Sequence, residues 1–235
     1  MNSIHPTAIL SGEVVIGDRN VIGPYAVILG PVSIGDDNWF GAGVTVGAPP
    51  EVRSFLHPPD LSGGASGAGT VIGHRNILRE YVQVHQGWKE QTEIHDDTFI
   101  MNQSYVAHDS IVHDGVTIAS GVRLAGHTII GALANLGLGT LVHQRRQIGA
   151  GAMIGMGSVV TRDVPAFAKA YGSPAKVHGI NAIMLDRLGV DDGVIACLRR
   201  QYADGHPDIA TLEKLAGWSV IAEYFSPPED SSPSA

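Results

Sequence analysis

Across residues 94–164 large aliphatic residues recur every six positions: Ile94, Ile100, Val106, Val112, Ile118, Leu124, Ile130, Leu136, Val142, Ile148, Ile154 and Val160. Four residues after each stands a small or β-branched residue, as at Thr98, Ser104, Ser110, Val116 and Val122, with Arg146 the exception. Neither the two-residue period of a strand nor the 3.6-residue period of a helix produces this spacing. A strict short period means a solenoid, whose repeats bury their apolar residues only by stacking on their neighbours. If each six-residue unit is one short strand and one turn, three units make a three-sided coil of 18 residues with every aliphatic pointing inward.

The same beat runs through the N-terminal block at Ile4, Leu10, Ile16, Ile22, Ile28, Ile34, Phe40 and Val46. Gly17, Gly23, Gly35, Gly41 and Gly47 follow the aliphatic, and Asn20 and Asn38 take the small slot. Both residue types tolerate tight corners, which is where the pattern puts them. The rhythm breaks over residues 48–70, an insertion with four prolines and a Gly/Ser-rich run at 62–69 expected to be flexible, while Glu51 and Arg53 are candidates for function. Ile72, Leu78 and Val84 restore the count, and four extra residues separate Val84 from Ile94. Beyond Pro165 the repeat stops. Residues 181–188 and 191–202 read as short amphipathic helices, with more helix near 209–215 and 218–225, and Asp191 and Asp192 stand where N-caps belong. The predicted organisation is a solenoid over 1–165, a helical cap over 166–225 and a disordered Ser/Pro/acid-rich tail over 226–235.

Composition narrows the function. A net charge of -8 argues against a general nucleic-acid binder. One cysteine, Cys197, excludes an intramolecular disulfide, and the lack of a signal-like N-terminus or long apolar run predicts a cytoplasmic protein not inserted in a membrane. The eleven histidines are the unusual feature. His85, His108, His127 and His143 are spaced by 23, 19 and 16 residues; removing the four-residue insertion makes each step close to one coil, so the four should stack along one edge. Imidazole changes proton state near neutrality, which suits either a general base or a metal ligand.

Val106-Ala107-His108-Asp109, Leu124-Ala125-Gly126-His127, Val142-His143-Gln144, Val84-His85-Gln86-Gly87 and Tyr171-Gly172-Ser173-Pro174 resemble, in order and spacing, motifs of the UDP-N-acetylglucosamine O-acyltransferases. The resemblance implies a mainly β fold, a left-handed parallel β-helix (hexapeptide-repeat solenoid) with a small C-terminal α-helical region. It implies transfer of a 3-hydroxyacyl chain from acyl carrier protein to the sugar 3-hydroxyl of a nucleotide sugar in lipid A synthesis, by a homotrimer, with no cofactor and no metal. In its terms His108 is the general base, Asp109 its orienting partner, and the Gly126 N–H the oxyanion donor. His85, His127, His143 and Gln144 line the groove, Glu51 and Arg53 hold substrate, and Arg200 belongs to the nucleotide-binding helix. Met156 sits where some members have glycine and would limit acyl length.

Departures are Tyr105 in place of a motif histidine, Arg145 and Arg146 after the His-Gln pair, and a short helical region. An amino-sugar N-acyltransferase of the same fold remains an alternative. So does a γ-class carbonic anhydrase-like zinc enzyme using His85, His108 and His113, since His108 and His113 occupy the two slots those proteins use. Arg145, Arg146, Arg162, Lys169 and Lys176 form a candidate basic patch for an acidic carrier.

Overall fold

The computed structural model describes residues 1–57, 67–203, 208–214 and 217–225. Short strands, most of two or three residues, stack in parallel into three sheets of ten, eight and seven strands that form the sides of a prism. Every third strand in sequence neighbours its predecessor one coil away, as in Tyr105↔Arg123↔Leu141 and Val106↔Leu124↔Val142, steps of 18 residues. Between Val84 and Val106 the step is 22, so the four extra residues are absorbed in a loop without disturbing register. The six-residue aliphatics from Ile22 onward line the interior, nearly all of them fully buried.

The small slot is also inside. Asn20, Asn38 and Asn76 form a buried ladder in which Asn38 N–H donates to Asn20 Oδ1 at 2.9 Å and Asn76 N–H to Asn38 Oδ1 at 2.9 Å. Thr98 N–H continues it onto Asn76 Oδ1 at 2.8 Å. These asparagines satisfy main chain in the core rather than turn the corner as expected, because an interior polar main-chain group needs a partner. The corners instead hold left-handed backbone at non-glycine residues such as Arg19, Tyr25, Asp37 and Asp109. Gly17 and Gly35 are required by close stacking of coils: a Cβ there would lie 2.8 Å and 2.6 Å from main-chain oxygens of the next coil.

After Pro165 the sheet continues. Ala168–Gly172 pairs in parallel with Met153–Ile154, and Ala175–Ile180 then turns back antiparallel. Helix α1 (Ala182–Arg187) is capped by Asn181, whose side chain accepts from Met184 N–H at 3.3 Å. Helix α2 (Asp192–Ala203) buries Val194, Cys197, Leu198 and Tyr202, and the Tyr202 hydroxyl donates to the Ala166 carbonyl. A one-turn helix α3 (Ile209–Leu212) and two 3-10 turns follow, and Phe167 packs against Tyr224 and Phe225 over the open end of the coil. The tail at 226–235 and most of the Gly/Ser-rich run (62–66) lie outside the described residues. Among the described residues no helix is long and apolar enough to cross a membrane.

Candidate active site

All four ladder histidines lie on one corner, where the chain passes from the eight-stranded to the seven-stranded sheet. They do not share one slot. His85 and His143 come directly after the inward aliphatic, His108 two residues after it, and His127 three residues after it. The unequal offsets turn a column into a cluster: the rings of His108 and His127 meet edge to face at 5.2 Å and 89°.

Asp109 is the anchor of the cluster. Its backbone is left-handed at φ 57°, which folds the carboxylate back into the turn, and its side chain has no exposed surface. Oδ1 accepts three main-chain N–H groups, from Trp88 at 3.1 Å, Lys89 at 2.7 Å and Glu90 at 2.6 Å. Oδ2 accepts from His108 Nδ1 at 2.5 Å and lies 3.6 Å from His127 Nε2. Burial by itself would raise the Asp109 pKa; the His108 contact, the N–H groups of Glu90 and Lys89 and the nearby His127 overcome it and bring it down to about 2. With the proton of His108 held on Nδ1, its Nε2 lone pair is free to accept another.

His108 lies across Gly126. A Cβ built on Gly126 would come within 2.6 Å of His108 Cε1 and 2.7 Å of Nε2, so only glycine allows the ring this place. Gly126 is buried, and among the described residues nothing accepts from its N–H. A fixed, unpaired donor beside an imidazole is what a developing oxyanion requires.

His85 points its Nδ1 at the Pro49 carbonyl, 2.7 Å away, and burial lowers its pKa. Its ring meets Tyr105 edge-on at 5.2 Å, and the Tyr105 hydroxyl donates to Glu51 Oε2 at 2.7 Å. Burial and that bond hold the phenol protonated. The insertion is thereby tied to the histidine corner through Glu51, while Arg53 is exposed. His127 is also held below its ordinary pKa by burial, against the pull of Asp109. His143 and Gln144 are exposed one coil further on, with His143 Nδ1 3.1 Å from the Gln144 carbonyl.

Three expected residues lie elsewhere. His113 belongs to the corner between the seven- and ten-stranded sheets, where its ring packs on His95 at 4.8 Å. The zinc set His85–His108–His113 is therefore not assembled within the chain; two consecutive slots of the repeat fall on two different corners. Met156, 74% exposed, is on the third corner, after the strand Met153–Ile154. Arg200 is exposed on α2.

Sequence reasoning missed the turn at 87–91. Its N–H groups hold Asp109, Trp88 meets the His108 ring edge-on at 6.4 Å, and Lys89 Nζ lies 4.4 Å over the Trp88 ring. The available signal was the four-residue excess before Ile94, a loop on the histidine side of the coil.

Comparison with known proteins adds the following. A family model described as bacterial transferase hexapeptide (six repeats) matches residues 13–48 and 91–126, and one described as UDP N-acetylglucosamine O-acyltransferase, domain 2, matches 163–204. An acyl-[acyl-carrier-protein]–UDP-N-acetylglucosamine O-acyltransferase of Stutzerimonas stutzeri is 37% identical over 227 residues, covering 94% of this chain and 87% of that protein. For the same enzyme of Pseudomonas putida (strain W619), 37% identity extends over 159 residues, 66% of this chain and 62% of the relative. A UDP-N-acetylglucosamine acyltransferase from Bacteroides fragilis superposes with a TM-score of 0.76 at 26% identity, covering 96% of this chain and 93% of that one. One from Campylobacter jejuni gives 0.73 at 25% identity, covering 97% and 90%.

Proposed function

The chain belongs to the UDP-N-acetylglucosamine O-acyltransferase family, a left-handed parallel β-helix with a C-terminal helical region, and we propose that it moves a 3-hydroxyacyl chain from acyl carrier protein to the 3-hydroxyl of a UDP-amino sugar such as UDP-N-acetylglucosamine. The observation that carries this reading is His108 lying across Gly126 with Nδ1 anchored on buried Asp109. His108 Nε2 takes the hydroxyl proton as the sugar oxygen attacks the thioester carbonyl carbon. The negative charge on the former carbonyl oxygen meets the Gly126 N–H, and Asp109 stabilises the imidazolium. Collapse breaks the C–S bond, and the thiolate of the carrier's prosthetic group receives the proton from His108. No cofactor or metal takes part.

Around this centre His85, His127, His143, Gln144, Glu51 and Arg53 bind sugar and acyl groups, and Arg200 on α2 supports the nucleotide. Fixed by Tyr105, Glu51 presents a carboxylate to the acceptor. The carrier docks at Arg145 and Arg162, exposed on the histidine corner, with Arg146 drawn toward Asp163 at 3.2 Å; Lys169 and Lys176, expected in the same patch, are exposed on the ten-stranded sheet instead. Reversing Arg145 and Arg146 to Glu should raise the carrier's KM and flatten its salt dependence; unchanged kinetics would remove the patch from the reading.

The active form in this reading is a cytoplasmic homotrimer. The eight-stranded sheet separates the histidine corner from the Met156 corner, so a Met156 that limits acyl length reaches the groove only from a neighbouring chain. If that sheet faces a three-fold axis, the two corner types meet between subunits, closing a cleft that one prism edge lacks. A monomeric mass in solution would sink this assembly.

The decisive assay is mass spectrometry of products after incubation with a panel of nucleotide sugars and acyl thioesters. An ester on a UDP-amino sugar supports the reading, and an amide would move it to the N-acyltransferase. His108→Ala should lower the rate by about 10²–10⁴-fold, the usual contribution of a positioned base, with the fold intact. A wild-type rate in that variant would refute the assignment.

A further inference from the structure

His108, Asp109 and His127 do more than form a base and its partner. One ligand atom from each lies within 4.8 Å of the others, the group among the described residues that converges this way. We infer that this corner binds one divalent first-row transition-metal ion reversibly through His108 Nδ1, Asp109 Oδ2 and His127 Nε2, and that the bound ion switches the acyl-transfer base off. The binding rests on the geometry of the corner; the inhibitory consequence rests on the reading of His108 as the base.

The carboxylate is prepared for such an ion. Oδ1 is occupied by three main-chain N–H groups, which fix the plane of the carboxylate and leave Oδ2 facing both imidazoles. Outer hydrogen bonds of this kind orient metal-binding carboxylates. A tetrahedral zinc ion with bonds of about 2.0–2.1 Å needs ligand atoms roughly 3.3 Å apart. The His127–Asp109 separation of 3.6 Å nearly meets this already. The His108–Asp109 pair, at 2.5 Å, must open by roughly 0.8 Å. It opens when the neutral ring changes tautomer, Nδ1 giving its proton to solvent and Nε2 taking one up, because the hydrogen bond that closes the pair leaves with the Nδ1 proton. The two rings stand at 89°, so their in-plane lone pairs lie in nearly perpendicular planes, and their nitrogens, within 4.8 Å of each other, draw together on the ion. Two imidazoles and one carboxylate suit zinc or cobalt and not the all-oxygen demands of magnesium or calcium, and the fourth position stays with water. In that state Asp109 no longer supports His108, and with the ion on Nδ1 the neutral ring carries its proton on Nε2, which has no lone pair left to accept the hydroxyl proton.

The test titrates chelator-treated protein with Co²⁺ and reads the visible absorption of a low-coordinate ion. One ion per chain is expected. His127→Ala, with His127→Gln as a second variant should the first not fold, should weaken binding by more than about tenfold. His113→Ala, on a different corner, should leave it unchanged. No saturable site in the wild type, or binding that survives loss of His127 and disappears with His113, would overturn the site. In the transfer assay Zn²⁺ should lower the rate at least about tenfold, reversibly on addition of a chelator, given what a base contributes. A bound ion with an undiminished rate would overturn the switch. If no donor and acceptor pair gives any transfer, the proposed function fails while the Co²⁺ titration still decides the site.

Discussion

Asp109 carries most of the electrostatic design of the site, and its charge has a consequence for stability. Its folded pKa of about 2 is below the ordinary carboxylate value of about 3.9, so the unfolded chain binds a proton more readily. The stabilisation it provides is therefore fully present above about pH 4 and is lost as the pH falls through about 2. In acid unfolding followed by circular dichroism, Asp109→Asn should be less stable than wild type at neutral pH, and the difference should shrink between pH about 4 and 2. A difference that does not change with pH would mean that Asp109 acts by packing alone. That His108, Asp109, Gly126 and His127 would lie side by side was legible in the chain, because His108-Asp109 and Gly126-His127 are 18 residues, one coil, apart. What the repeat could not show was which lone pairs converge. His85, His108 and His127 stand at one, two and three residues after the inward aliphatic, and only the turn geometry at Asp109 and His127, both left-handed, folds those offsets toward one another. His113 illustrates the reverse: five residues from His108 in sequence, it lies round the next corner.

At the scale of elements, the turn at 87–91 holds the Asp109 carboxylate on which the proposed role of His108 depends. Gly87 makes it possible: a Cβ there would lie 1.6 Å from the Glu90 carbonyl oxygen, far inside any contact distance. Gly87→Ala must therefore open the turn and withdraw one or more of the three N–H groups from Asp109. The coil on either side keeps its own pairing, Gln83↔Tyr105 before it and Glu93↔Ile111 after it. The expected result is a folded protein whose transfer rate is reduced at least about tenfold, the scale of losing a positioning contact to a catalytic group. A thermal midpoint that collapses with the rate would show that the turn serves stability instead. The count shows that four extra residues stand here, but not the turn they form or what it holds, because an insertion interrupts the six-residue count and carries no period of its own. The strands, by contrast, follow from the count itself, since each buried aliphatic fixes one inward position and the next strand is six residues on. The N-terminal asparagines were misplaced for a related reason. The count puts them at a corner, and only the demand of buried main chain for partners turns them inward.

At the scale of the whole molecule, the placement of Met156 bears on the proposed trimer: an acyl-length stop at Met156 would be a property of two chains. His108 is on one corner of the prism and Met156 on another, with the eight-stranded sheet between them, so no groove along a single corner contains both. In the proposed trimer each site takes His108 from one subunit and Met156 from the next. Met156→Gly alone should shift preference to longer donors, since each CH₂ that gains room recovers about 0.8 kcal/mol of burial and two carbons exceed tenfold in selectivity. Mixed trimers then separate the two origins. Co-refolding His108→Ala chains with an excess of Met156→Gly chains leaves every active base on a chain that carries Gly at 156. If Met156 acts within its own chain, all active sites prefer the longer donor whatever the mixture. If it acts across the interface, a site whose neighbour is a His108→Ala chain regains Met156 and with it the shorter preference. The fraction of short-donor product should rise in proportion to the His108→Ala share of the mixture. A donor profile that stays at that of Met156→Gly across all ratios would rule out the intersubunit stop, even if the trimer itself is confirmed by light scattering.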